Sequence, residues 1–193
     1  MIEFLITNEY KVKAPKFEFP ANAGIDGYIP TNTVEFREKL KAKNPSLLFI
    51  NNEDEYTTFI LNPCNSKPHS WMNTDSGEIY IAPHSDILIP SGLYVKMPED
   101  SALIDFNKSG IATKKKLVAG ACVIDYSYQG IVHYHVINTS DIFQVVNCDE
   151  KILQMVEVKI GSGAKVTEGI TPDEFFVTKS KRGDGGFGST TLL

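Results

Sequence analysis

The sequence predicts an all-β sandwich or barrel, because short apolar–polar alternations recur along it and glycine or proline closes most of them. Ile79-Tyr80-Ile81-Ala82 alternates and stops at Pro83. Ile87-Leu88-Ile89 is an apolar run ended by Pro90-Ser91-Gly92, after which Leu93, Val95 and Met97 alternate with Tyr94 and Lys96. Val132, Tyr134 and Val136 interleave with His133 and His135, and Val156, Val158 and Ile160 interleave with Glu157 and Lys159. Residues two apart on a strand share a face, so each apolar set marks a core face. Strands this short and this frequent build a sandwich or barrel.

One segment departs from that pattern. In residues 31–78, Thr33 precedes Val34-Glu35-Phe36-Arg37-Glu38-Lys39-Leu40, an N-cap followed by a short helix. The remainder is rich in Asn, Asp, Ser and Thr and holds Trp71, Tyr56 and Phe59. It reads as an insertion on the barrel surface, whose aromatic residues either fasten it down or meet a regulatory protein partner.

The 193 residues, 42% hydrophobic and 22% charged, suit one folded domain. The start, Met1-Ile2-Glu3-Phe4, has no basic segment leading into an apolar run, so no secretion signal is expected. No apolar stretch approaches the roughly 20 residues of a membrane span. Cys64, Cys122 and Cys148 are odd in number and far apart, which points away from disulfides and zinc and toward a reducing, cytoplasmic setting. A net charge of −5 disfavours nucleic acid as a partner. It leaves room for a small polyanion met by local basic clusters, Lys114-Lys115-Lys116 and Lys179, Lys181 and Arg182.

The stretch from Arg182 to Thr190 contains G-x-G-x-x-G at Gly183, Gly185 and Gly188. A dinucleotide fold needs a helix after that motif, and Ser189 to Leu193 leaves no room for one. The local chemistry stands without it. Glycines let backbone N–H groups approach phosphate oxygens. Arg182 offers a two-pronged phosphate contact, Ser189 and Thr190 add hydroxyl donors, and Phe187 gives a base a face to stack on. Asp125 follows Val123-Ile124 and precedes a turn, a position from which a carboxylate projects into a cleft as a general base or simply shapes the turn. Lys108-Ser109-Gly110 sets a cation, a hydroxyl and a flexible glycine side by side.

In order, Ala23-Gly24-Ile25-Asp26, Lys108 to Ala112, Val123 to Gly130, Lys151 to Met155 and Arg182 to Thr190 resemble the five motifs of the homotrimeric dUTPase family. The resemblance implies a jelly-roll-type β-barrel, an all-β single domain over 1–193. It also implies a mobile C-terminal arm over 180–193 and active sites shared between three subunits. The activity implied is dUTP hydrolysis to dUMP and pyrophosphate with Mg2+ on the triphosphate, a step in nucleotide metabolism in the cytoplasm, or the host cytoplasm for a viral protein. Asp125 is then the residue that activates water for attack on the α-phosphorus. Ala119 and Ile124 belong to the hairpin that reads uracil, and Tyr128 packs on the sugar. Lys108, Ser109, Gly110 and Gln154 meet phosphate oxygens. Arg182, Phe187, Gly188, Ser189 and Thr190 close over terminal phosphate and base, and Asp26 serves the metal's outer shell or the architecture of the site.

The chain departs from the family pattern at several positions. Lys108 stands where arginine is usual, Ala119 where many members place asparagine, Asp149 where glycine opens the fourth motif, and Thr191 where glycine often ends the fifth. The related dCTP deaminases place a glutamate on the strand after the third motif, and Gly130 to Val136 carries no carboxylate. His133 and His135 share a strand face without a third ligand in register and read as surface or interface packing.

Overall fold

The alternation at His133–Asn138 becomes a strand with Tyr134, Val136 and Asn138 buried and the residues between them half-exposed. The computed structural model describes residues 1–20, 22–51, 69–161 and 163–178. The chain divides into two units, Met1–Gly161 and Ser162–Leu193. Among the described residues the first unit holds β1 (Glu3–Ile6), β2 (Ile25–Tyr28), α1 (Val34–Lys43), β3 (Leu48–Ile50), β4 (Trp71–Asn73), β5 (Glu78–Ile81), β6 (Asp86–Pro90) and β7 (Leu93–Lys96). It continues with β8 (Ser101–Asn107), α2 (Ser109–Lys115), β9 (Leu117–Ala119), β10 (Val123–Asp125), β11 (His133–Asn138), β12 (Gln144–Asn147) and β13 (Lys151–Lys159). In the second unit Thr171 and Glu174 form a capping box around the short α3 (Pro172–Phe175).

The strands form four sheets, ordered β1-β7, β10-β8-β13-β2, β6-β11-β9 and β12-β5-β4-β3. Among the described residues only β3 and β4 pair in parallel. Ile29, Ile79, Ile81, Ile87, Ile89, Leu103, Tyr134 and Met155 fill the core between them. The register of β13 differs from the one its valines predict. Ile152, Leu153 and Met155 are its buried residues, while Val156 and Val158 are only half-buried. Its first half lies between β2 and β8 and its second half pairs with β8 alone, so core burial follows the doubly paired half.

The described residues of the 31–78 segment are stitched into the first unit. Thr33 accepts a hydrogen bond from the N–H of Phe36, 3.2 Å away, as an N-cap should. Phe36 and Leu40 are buried in the core. Strands β3 and β4 extend the sheet of β5, where Trp71 stacks on Tyr80 at 3.8 Å between ring centroids. Trp71 is therefore a fastening residue, and Tyr56 and Phe59 lie outside the described residues.

Two buried polar residues behave oppositely. Asn138 donates to the carbonyls of Ile81, Ala82 and Ile142 and accepts from the N–H and hydroxyl of Ser140, so one side chain ties the turn after β5 to the turn after β11. Asp105 is 2% exposed, and neither carboxyl oxygen has a hydrogen-bond partner among the described residues. Burial pushes its carboxyl up to about 7. Because the folded value is raised, the stability associated with this group is complete below the unfolded carboxylate value and declines as pH rises toward 7. Between pH 4 and pH 8 the wild type should lose up to about 4 kcal/mol that Asp105→Asn does not lose, read from urea midpoints at the two pH values. Parallel pH profiles for the two proteins would contradict this account.

Candidate active site

Three of the sequence stretches meet at one carboxylate. Asp26 sits on β2, opposite Gln154 of β13, with its side chain 5% exposed. A carboxylate buried this far requires charged partners. Lys108, the residue between β8 and α2, forms an ion pair with Oδ1, and Lys151 Nζ lies 3.0 Å from Oδ2, in ionic contact though off the line of a good hydrogen bond. Desolvation pushes the Asp26 carboxyl up, but the contacts and charges of the two lysines outweigh it and hold the group below the usual range. Lys151 is shared with Glu18, and those two carboxylates raise its ammonium above its ordinary value.

Glycine at position 24 follows from the same crowding. A Cβ there would lie 2.6 Å from Gln154 Oε1, so Gly24 lets Gln154 stand beside Asp26. Gln154 donates from Nε2 to the Asn107 carbonyl at 3.0 Å, and Asn107 Oδ1 accepts from the Ala119 N–H at 2.6 Å. The first, second and fourth stretches are thereby tied to the start of the third. Ser109 and Gly110 open α2 and are exposed.

The segment around Ala119 to Tyr128 is expected to be a hairpin, and the structure corrects that. Strand β9 pairs with β11 and β10 pairs with β8, so the two arms belong to different sheets and a loop bridges them. A cleft of about 200 Å³ opens beside this loop, lined by Leu88, Ala121, Ile124, Asp125, Tyr128 and His133. That is below the roughly 300–1,000 Å³ of drug-sized sites and suits a nucleoside more than a whole triphosphate. Ile124 is buried, while Asp125 ends β10 exposed. The Asp125 carbonyl accepts from the Tyr128 N–H at 3.0 Å, and Tyr128 Oη donates to the Ile131 carbonyl at 2.9 Å. A Cβ at Gly130 would lie 2.5 Å from that hydroxyl, which explains the glycine. A larger cleft of about 760 Å³, between β7 and Tyr126, Tyr128 and Gln129, is mainly apolar and contains none of the phosphate-directed residues.

Other expectations resolve individually. Lys115 pairs with Glu150 at 2.6 Å. His135 does not merely pack, because its Nδ1 accepts from the Ala121 N–H at 2.8 Å. Burial, and next the charge of Lys43, lower the His133 imidazole below its ordinary value. Among the described residues Cys122 and Cys148 are free thiols. Lys179, Lys181, Arg182, Phe187, Gly188, Ser189 and Thr190 lie outside the described residues. Sequence reasoning missed Asn107, Glu18 and Asp86. No periodicity or motif marks them, since each acts through a partner distant in sequence.

The dUTPase family model matches residues 75–191. The chain belongs to the dUTPase family. The match begins after the first motif, in the last residues of the inserted segment. The chain is similar to the deoxyuridine 5'-triphosphate nucleotidohydrolase of Arabidopsis thaliana, 37% identical over 106 residues, covering 53% of this chain and 58% of that one. The chain thus spans less than two thirds of that plant relative. The enzyme of the same name from Legionella pneumophila strain Paris is 34% identical, with 60% and 74% covered. That of Neisseria meningitidis serogroup B is 38% identical, with 58% and 73% covered. Among solved structures, the Staphylococcus bacteriophage 80alpha dUTPase with dUpNHpp superposes with a TM-score of 0.63 at 15% identity, covering 98% of both chains. The dUTPase of S. aureus phage phi11, described with a structural Mg(II) ion, gives 0.57 at 14% identity, covering 89% and 99%. The fold is therefore the jelly-roll-type barrel of dUTPases.

Asp149, where the family usually has glycine, adopts φ of +65°. The position needs left-handed backbone, which aspartate tolerates better than most side chains. Thr31 donates to its carboxylate at 2.9 Å and Lys13 to its carbonyl at 3.0 Å. Asp149→Gly should leave stability within about 1 kcal/mol, whereas Asp149→Val should lower it by about 1–3 kcal/mol. Equal melting temperatures for the two variants would remove the backbone explanation.

Proposed function

We propose that this chain hydrolyses dUTP to dUMP and pyrophosphate. The observation that carries the reading is Asp125, an exposed carboxylate on the lip of a nucleoside-sized cleft, at the position from which family motifs place the water-activating residue. Uracil and deoxyribose enter between the β9–β10 loop and Tyr128, with the phosphates directed outward. Asp125 takes a proton as the water oxygen bonds to the α-phosphorus. The bond from that phosphorus to the bridging oxygen breaks, and pyrophosphate leaves. A positioned base of this kind contributes about 10²–10⁴-fold.

Lys108 spends much of its charge on Asp26, and it reaches phosphate as a shared cation instead of a planar guanidinium fork. Gln154 has one N–H left for a phosphate oxygen after its bond to Asn107. Both oxygens of Asp26 already face lysine, and no group of three or more His, Cys, Asp or Glu among the described residues is placed to hold a metal ion. One protomer's donor set therefore does not fit a directly ligated ion, and Asp26 serves the architecture of the site. Mg2+ belongs to the proposal as the ion chelated by the triphosphate, where it offsets phosphate charge.

The homotrimer with sites shared between copies, which the family resemblance implies, belongs to the same proposal. We place the reaction in the cytoplasm.

Asp125→Asn should bind a non-hydrolysable dUTP analogue nearly as well as wild type, with kcat lowered at least about a hundredfold. Near-normal turnover would remove Asp125 from its role. Truncation after Ser180 should also abolish most turnover without lowering the melting temperature. Co-refolding the truncated chain with Asp125→Asn should recover part of the activity if one site draws on both chains. Recovery of none, with mixed oligomers demonstrated, would place each site within a single chain.

A further inference from the structure

The β9–β10 loop rests on a histidine that none of the five motifs contains. The Gly120 N–H donates to the His135 carbonyl at 2.9 Å, and the Ala121 N–H donates to His135 Nδ1 at 2.8 Å. A backbone N–H can only donate, so Nδ1 carries the lone pair and the ring proton resides on Nε2. Nε2 lies 3.0 Å from Asp86 Oδ2, placed to receive that proton's hydrogen bond. A Cβ at position 120 would collide with the imidazole, so glycine there lets the loop sit directly on the ring. On the other flank, Asn107 holds the Ala119 N–H. His135 pairs in register with Leu88, and both Leu88 and Ala121 line the cleft.

We infer that His135, oriented by Asp86, is a positioning residue that fixes the β9–β10 loop at the width that admits uracil and refuses thymine. The inference rests on the dUTP reading given above. The loop has no ladder between its own arms to set its shape, because β9 and β10 pair with different sheets. Its geometry is therefore set from outside, by His135 at Gly120 and Ala121, by Asn107 at Ala119, and by the Asp105 N–H, which donates to the Cys122 carbonyl at 2.8 Å. Uracil and thymine differ by one methyl group, worth about 10–200-fold in a well-shaped apolar pocket. A loop free to shift by a fraction of an ångström forfeits much of that margin. Base binding suffers while the carboxylate on β10 stays in place.

Three substitutions separate the ring's functions. His135→Asn keeps an acceptor near the place of Nδ1, His135→Gln keeps only the reach toward Asp86, and His135→Phe keeps neither. For His135→Phe, KM for dUTP should rise roughly tenfold with kcat within about threefold, and the preference for dUTP over dTTP should fall by a similar factor. His135→Asn should recover most of the KM, and His135→Gln should not. Hydrogen exchange at the Ala121 amide, followed by NMR, should accelerate in the Phe and Gln variants and stay near wild type in the Asn variant. Asp86→Ala, at a solvent-facing position, should shift KM and exchange in the same direction by less, and it serves if His135→Phe does not fold. Unchanged KM and base preference in folded variants, or an Asn variant as impaired as the Phe variant, would overturn the inference. A wild type inert toward dUTP would instead sink the proposed function, and Ala121 exchange would still decide whether His135 holds the loop.

Discussion

A carboxylate buried in a sheet is stable only if positive charge comes with it, and around Asp26 that requirement organises the protein. Its two cations arrive from different places, Lys108 at the end of β8 and Lys151 at the start of β13. Satisfying both fixes how β2 and β8 lie against β13. The same register sets Gln154 opposite Asp26 and leaves no space for a side chain at position 24. The lattice of contacts that holds the sheet is thus also the lattice that presents the phosphate-directed groups. Lys108 cannot be altered for the sake of substrate without taking from the buried Asp26 one of its two cations.

The third motif is organised on a different basis. Its loop spans two sheets, so the cleft beside it is a seam between layers. Side chains grip its backbone, Asn107 at Ala119, His135 at Ala121 and the Tyr128 hydroxyl at Ile131, beside backbone bonds at Gly120 and Cys122. Ala119 lacks any side chain with which to read a base, and its own N–H is consumed by Asn107. Under the proposed function, selectivity at this position would depend on shape and backbone, which gives the supporting side chains more weight than they would have beside an asparagine.

Much of this was legible in the sequence, for identifiable reasons. Strand alternation survives because it reflects burial on one face, as at Tyr134, Val136 and Asn138. The Thr33 cap is readable because capping is local. The phase of β13 was misjudged because Val156 and Val158 imitate a core face at a place where only one neighbouring strand covers them. His135 was recognised as sharing a face with His133, but its role depends on Ala121, which approaches only after β9 has docked on β11. The Asp149 departure was visible as a missing glycine, and its meaning lay in a backbone angle that residue identity alone does not disclose.

The helix of the inserted segment also closes an open margin of the barrel. Among the described strands β6 is the outermost of its sheet, the kind of edge that recruits another chain when bare. Asn44, capping α1, donates from its amide to the Leu88 carbonyl and accepts from the Leu88 N–H, each at 2.9 Å. One side chain thus imitates the two contacts that a neighbouring strand would make. The segment protects this copy from stacking edge to edge with the next, and any shorter version of the fold must find another way to keep that border from becoming adhesive.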